Sequence, residues 1–135
     1  MSVFLDTGYL IALEAADDQH HKKALRHWKS FAKHRPRLVT TSYVFDEVVT
    51  FFNSRGRHSK AVELGHRLLG SPSIRFFHVD IDLFQEGWQY FQSRPDKRYS
   101  LTDCLSFVVM EREGLHDSLT FDDHFAQAGF RILPG

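Results

Sequence analysis

An α/β fold of three layers, with helices on both faces of a mainly parallel sheet, is what this sequence of 135 residues predicts. Short β-branched and apolar runs alternate with longer stretches of helical spacing. Connections of about ten or more residues between strands require right-handed crossovers, and these place helices on both faces of the sheet. No stretch is repetitive, low in complexity or rich in linker residues, so a single domain over residues 1–135 is expected.

Val3-Phe4-Leu5 reads as the first strand, ending at Asp6, and Tyr9, Leu10, Ile11 and Leu13 follow at helical spacing. From His20 to His34, the residues Ala24, Leu25, Trp28, Phe31 and Ala32 recur every three or four positions until Pro36 stops the pattern. Leu38 to Thr41 is the second strand. Ser42 is the expected cap of a helix through Val44, Val48 and Phe52 to about Asn53, broken by Arg55-Gly56-Arg57. Ala61, Val62, Leu64, Leu68 and Leu69 mark another helix closed by Gly70 and Pro72, before a third strand from Ile74 to Val79. Asp80 or Asp82 opens a helix carrying Leu83, Phe84, Trp88 and Phe91, which ends near Pro95. After a polar loop, Asp96 to Tyr99, Ser100 begins a helix with Leu105, Phe107, Val108 and Met110, and Gly114 is its left-handed cap. Ser118 to Phe121 and Phe130 to Leu133 are the last two strands. Trp28, Trp88 and the helically spaced Phe residues are expected in the core rather than as platforms for bases.

Composition narrows the class. An apolar fraction of 42% with 13 Phe is enough for a core and unlike a disordered chain. The single cysteine, Cys104, rules out an internal disulfide and a cysteine-rich zinc site, and it fits a reducing compartment. The N-terminal apolar run is three residues long and no window reaches the roughly 20 apolar residues of a membrane helix, so a cytoplasmic protein without a membrane is expected. The nine histidines lack a metal-binding cadence. Net charge is zero, yet no acid stands between Asp18 and Asp46. That gap holds seven Lys and Arg, among them Lys22, Lys23 and Arg26, which can serve phosphate binding or simply a solvated helix face.

The acids fall in informative places. In open parallel sheets the functional crevice lies outside the C-terminal strand ends, where Asp6 and Asp122 both stand. Taken singly, each is also a plausible helix cap. Asp103 completes a Ser-x-x-Asp capping box with Ser100, which puts its carboxylate on a first helical turn near those strand ends. Glu47 sits at the margin of an apolar helical stripe without a basic helical neighbour, so it is expected to be partly buried and in need of a cation, whereas Asp46 points to solvent. Four oxygen donors without cysteine or a histidine pair favour a hard cation, Mg²⁺ or Mn²⁺. Such a centre activates water for in-line attack on a phosphodiester and offsets the repulsion between clustered acids and a polyanion.

With these residues in place, the chain resembles the PIN-domain family, above all its stand-alone toxins of the VapC type, over nearly its whole length. The matching motifs are Val3-Phe4-Leu5-Asp6-Thr7, Ser42-Tyr43-Val44-Phe45-Asp46-Glu47, Leu101-Thr102-Asp103 and Thr120-Phe121-Asp122-Asp123-His124-Phe125. Each is weak alone, but their order and spacing are specific. The resemblance implies a PIN-like fold and a Mg²⁺- or Mn²⁺-dependent endoribonuclease in which Asp6, Glu47, Asp103 and Asp122 hold the metal. Thr7, Thr120 and Asp123 would support them. It also implies an RNA substrate, a homodimer and a cognate antitoxin protein. Gly8 departs from the family's frequent Ser, which touches a minor hydrogen bond.

Other readings are weaker. Asp6-Thr7-Gly8 mimics the aspartic-protease triplet, but that needs an all-β fold. A receiver domain needs a late Lys, and none follows Lys97. A catalytically inactive PIN-like module binding RNA or protein would be expected to have lost an acid. A structure-specific DNase would use the same chemistry and differ only at the 2′-OH.

Overall fold

The computed structural model describes all residues, 1–135. Its centre is a five-stranded, wholly parallel sheet in the order β3-β2-β1-β4-β5, built from β1 (Ser2–Leu5), β2 (Arg37–Thr41), β3 (Ile74–Phe77), β4 (Asp117–Leu119) and β5 (Arg131–Leu133). The helices are α1 (Thr7–Glu14), α2 (His21–Ser30), α3 (Ser42–Ser54), α4 (His58–Gly70), α5 (Ile81–Gln92), α6 (Leu101–Glu113) and α7 (His124–Gln127). The first two crossovers step one way from β1 and the later ones step the other way. Right-handed connections therefore put α1–α4 on one face and α5–α7 on the opposite face. Packing agrees: α1 touches α2 and α3, α3 touches α4, and α6 touches α5 and α7.

β1 occupies the middle because Val3, Phe4 and Leu5 are apolar without alternation, as a strand covered on both faces requires. Phe4, Phe107 and Phe125 form the aromatic centre of the α5–α7 side. On that side α5 and α6 pack closely at Gly87, where a Cβ would run into the Leu105 side chain. The order of strands reverses between β1 and β4, so the crevice outside their C-terminal ends is the topological switch point of the sheet. No helix is long and apolar enough to cross a membrane.

Several expectations need correction. α2 stops at Ser30 rather than His34, and Ala32 takes a left-handed φ of 50°, which turns the chain before Pro36. The cap of α3 is Thr41, whose Oγ1 accepts the Val44 N–H at 3.2 Å, while Ser42 Oγ accepts the Val79 N–H. β3 ends at Phe77 and β4 at Leu119, two residues short of their apolar runs, and α7 is a single turn too short for any periodicity. On α5 the buried face is Leu83 and Gly87. This leaves Phe84, Trp88 and Phe91 substantially exposed, and Trp88, expected in the core, is 45% exposed. The small glycine brings the helices together along its own side and turns the large rings outward.

Candidate functional site

Outside the ends of β1 and β4 lies a depression of about 740 Å³ with a mostly polar lining. Asp6 reaches it because its backbone N–H bonds Leu119 O at 3.0 Å, which draws the end of β1 against β4. Asp6 stands at the N-cap position of α1, yet its side chain makes no capping bond. Its Oδ2 instead accepts Thr120 Oγ1–H at 2.7 Å, and the same Thr120 oxygen accepts the Asp122 N–H at 3.0 Å. Thr120 is fully buried. One hydroxyl thus ties together two acids from opposite ends of the sequence.

Asp103 is held by the capping box of α6. Ser100 N–H donates to its Oδ2 at 3.1 Å, and Asp103 N–H donates to Ser100 Oγ at 3.0 Å. Asp122 Oδ1 accepts the His124 N–H at 2.9 Å, a local turn of the kind aspartate favours. His124 Nδ1 lies 3.0 Å from Asp103 Oδ2 and 3.4 Å from Asp122 Oδ1, in position to donate to either. Asp103, Asp122 and His124 can each turn one ligand atom toward a common point, all within 4.8 Å of one another.

Burial and like charge dominate the electrostatics. Asp6 is 7% exposed; its burial, reinforced by the charges of Asp103 and Asp122 against the lowering effect of Thr120, pushes its carboxyl up to about 7. Burial also raises Asp103, opposed by its hydrogen bonds from His124 and Ser100. No Lys or Arg forms an ion pair with any of these carboxylates.

Asp6, Glu47, Asp103 and Asp122 all line the depression, with Thr7 and Asp123. Glu47 is exposed, however, not partly buried as its place on the helical wheel implied. α3 buries Val44, Val48 and Phe52 and leaves Glu47 on the open rim, where Thr7 Oγ1–H donates to its Oε1 at 2.6 Å. Asp123 is exposed and its carboxylate makes no hydrogen bond. Gly8 lines the wall with open space beside it. Lys22, Lys23 and Arg26 lie outside the lining, exposed on α2. α2 is nonetheless close: the His20 ring just before it stacks on Phe121, a wall residue, with centroids 4.4 Å apart. Three lining residues, His124, Arg98 and Gln127, escaped the sequence reading. His124 stood inside the last motif as an apparent spacer, and Arg98 lay in what read as a plain polar loop.

The model of the PIN domain matches residues 3–131. The chain belongs to the PIN-domain family. Within this family it is 34% identical over 128 residues to the 23S rRNA-specific endonuclease VapC20 of Mycobacterium tuberculosis, covering 95% of both chains. The crystal structure of that protein, a sarcin–ricin loop cleaving toxin, superposes with a TM-score of 0.85 over the same 95% of each. Its place is therefore among the VapC-type PIN nucleases. Two more distant structures share the fold. They are a toxin–antitoxin complex from Klebsiella pneumoniae (15% identity, TM-score 0.59, 90% of this chain and 87% of that one) and FitAcB from Neisseria gonorrhoeae (17%, 0.63, 98% and 96%).

Proposed function

We propose that residues 1–135 form one PIN domain acting as a divalent-metal-dependent endoribonuclease, with Asp6, Glu47, Asp103 and Asp122 as the metal-holding and catalytic residues. The observation that carries this reading is the convergence of Asp6, Asp103 and Asp122 from three separate segments, without an ion-paired Lys or Arg, on the switch point of the sheet. Carboxylates crowded in this way favour their neutral forms unless a cation joins them. The donor set suits a hard ion such as Mg²⁺ or Mn²⁺, with His124 as a nitrogen donor at its edge.

When bound, such an ion would supply Lewis-acid activation of water and neutralise charge developing on the phosphate oxygens. The chain itself supplies position. Thr120 orients Asp6, the capping box orients Asp103, the Asp122 turn orients that carboxylate, and Thr7 orients Glu47, so each acid is restrained by its own local bond. Asp123, exposed on the same rim, would support Asp122. Lys22, Lys23 and Arg26, on the helix that begins beside Phe121, are proposed to draw RNA phosphates toward the site.

The 34% identity to VapC20 supports structured ribosomal RNA, the sarcin–ricin loop in particular, as the substrate. Membership of the VapC type supports a homodimer and a cognate antitoxin as partners, and a cytoplasmic place of action. The test is cleavage of labelled total RNA, of the isolated sarcin–ricin stem–loop and of matched single-stranded DNA, with Mg²⁺, Mn²⁺ or EDTA. Asp6→Asn and Asp103→Asn serve as controls. Metal-dependent RNA cutting lost in both variants is the expected result. Cutting of DNA alone would make the chain a DNase, and RNA binding without cutting would make it a binding module.

A further inference from the structure

Beside the acidic depression lies a second, smaller cleft of about 320 Å³, lined by Phe91, Arg94, Pro95, Lys97, Arg98 and Tyr99 at the end of α5 and in the loop before α6. Arg98 lines both hollows, so the two adjoin at this side chain. Their chemistry is opposite. Arg94, Lys97 and Arg98 are exposed and none of them is in an ion pair, so this edge of the depression carries uncompensated positive charge. Arg94 is held in place with its guanidinium 4.0 Å from the centre of the Tyr90 ring. Phe91, 39% exposed, stacks on the equally solvent-facing Trp88 with centroids 5.5 Å apart and an interplanar angle of 16°. The buried wall, Tyr99, meets the His124 ring edge-on at 5.4 Å, and His124 touches Asp103, so the cleft and the acids share one support.

We propose that this cleft is a binding site for the RNA strand flanking the cleaved bond, where Arg94, Lys97 and Arg98 take phosphates and Phe91 takes the face of an unstacked base. The inference rests on the nuclease reading and names the substrate contacts which that reading leaves open. Three cations outside any ion pair, with an exposed two-ring platform beside them, are the combination that single-stranded nucleic acid uses, backbone on charge and base on aromatic. An acidic peptide would match the cations but has no use for the rings. The volume suits about one nucleotide. A polyanion entering an acid-lined depression also needs fixed positive charge at its edge, and Arg98 provides it there.

The test is steady-state cleavage of a labelled sarcin–ricin stem–loop with Mg²⁺, at several salt concentrations, by the full chain and by Arg94→Gln, Lys97→Gln and Phe91→Leu. Arg94→Gln and Lys97→Gln change exposed loop residues and leave the core untouched. Each should raise KM with kcat little changed, and each should flatten the salt dependence of kcat/KM by about 0.7 in log–log slope. Phe91→Leu should raise KM about five- to tenfold without altering the slope, and Phe91→Trp should restore it. KM within twofold of the parent in all three variants, together with an unchanged salt slope, overturns the proposal. So does a pattern in which RNA cleavage is untouched but binding of an acidic peptide is lost. Failure of the nuclease reading shows separately, as absence of metal-dependent cutting by the parent. Anisotropy of the fluorescein-labelled stem–loop then decides the cleft by itself, with weaker binding expected for Phe91→Leu and Arg94→Gln.

Discussion

Asp6, just before the eight-residue helix α1, and Glu14, its last residue, meet opposite electrostatic fates. A helix favours an acid at its N-terminus and disfavours one at its C-terminus, so the helix alone would lower Asp6 and raise Glu14. The reverse is found. Burial raises Asp6 to about 7, with Asp103 and Asp122 adding to it. Burial would raise Glu14 too, but Lys60 at 2.7 Å and Arg67 at 2.9 Å hold its carboxyl below the ordinary range. Burial at Asp6 and the cationic partners at Glu14 outweigh the dipole, which is worth about 1 kcal/mol or less at most such sites. Glu14 is a finished structural ion pair that pins α4 to α1. Asp6 belongs to a set of acids for which the protein supplies hydroxyls, amides and other acids but no paired cation.

The hardest blow to this contrast would come from Asp103→Asn. If the acids at one end of α1 are a metal centre, single-turnover RNA cleavage should fall by about a thousandfold or more, the kinetic equivalent of roughly 4 kcal/mol. Glu14→Gln should leave cleavage within about twofold.

Stability against pH should separate the two ends next. The folded value of Asp6 lies above its unfolded one, so its contribution is fully present below about pH 4 and is lost as pH rises through about 7. In EDTA, urea denaturation should therefore show about 2–4 kcal/mol less stability from this group at pH 8 than at pH 4, a loss that Asp6→Asn removes. Mg²⁺ at pH 8 should restore stability in the parent alone. Glu14 has the opposite sign: its contribution is present above its unfolded value and is lost as pH falls through its lower folded value. Glu14→Gln should cost about 1–2 kcal/mol near neutrality and flatten the acid limb of the same curve. A smaller effect is expected from Thr120→Val, which keeps shape but removes the hydroxyl shared by Asp6 and Asp122. Cleavage should drop about tenfold, the equivalent of about 1.4 kcal/mol, as the hydroxyl's two hydrogen bonds are lost. An unchanged rate would show that the acids hold themselves in place.

Much of this architecture was legible in the sequence because the period of apolar residues changes between strands and helices, and because Gly114 and the Ser100–Asp103 box mark the ends of α6. The strand-end rule also points to Asp6 and Asp122 from the sequence alone. What could not be read depends on tertiary choices. Whether Thr41 or Ser42 caps α3 is settled by Val79, 37 residues beyond Ser42, which takes the Ser42 hydroxyl. Trp88 turns outward because Gly87 packs on Leu105, and periodicity weighs a large ring as core whatever its neighbour. Glu47 is exposed because the helical wheel places it beside an apolar stripe but says nothing of the solvent-filled depression next to that stripe. Arg98 and His124 carry no pattern of their own, and their places follow from the loops that β1, β4 and α6 bring together.

The bond between Thr120 and Asp6 spans 114 residues, and Asp122 follows only after β4. During synthesis, Asp6 emerges 114 residues before Thr120 and must wait for β4 before it has that companion. Any fragment stopping short of Asp122 carries scattered carboxylates and no common point between them. For a nuclease made on the ribosome, with ribosomal RNA as its proposed target, sequence order thus works as a delay: the machine that translates the chain faces no assembled blade until β4 and Asp122 have been made.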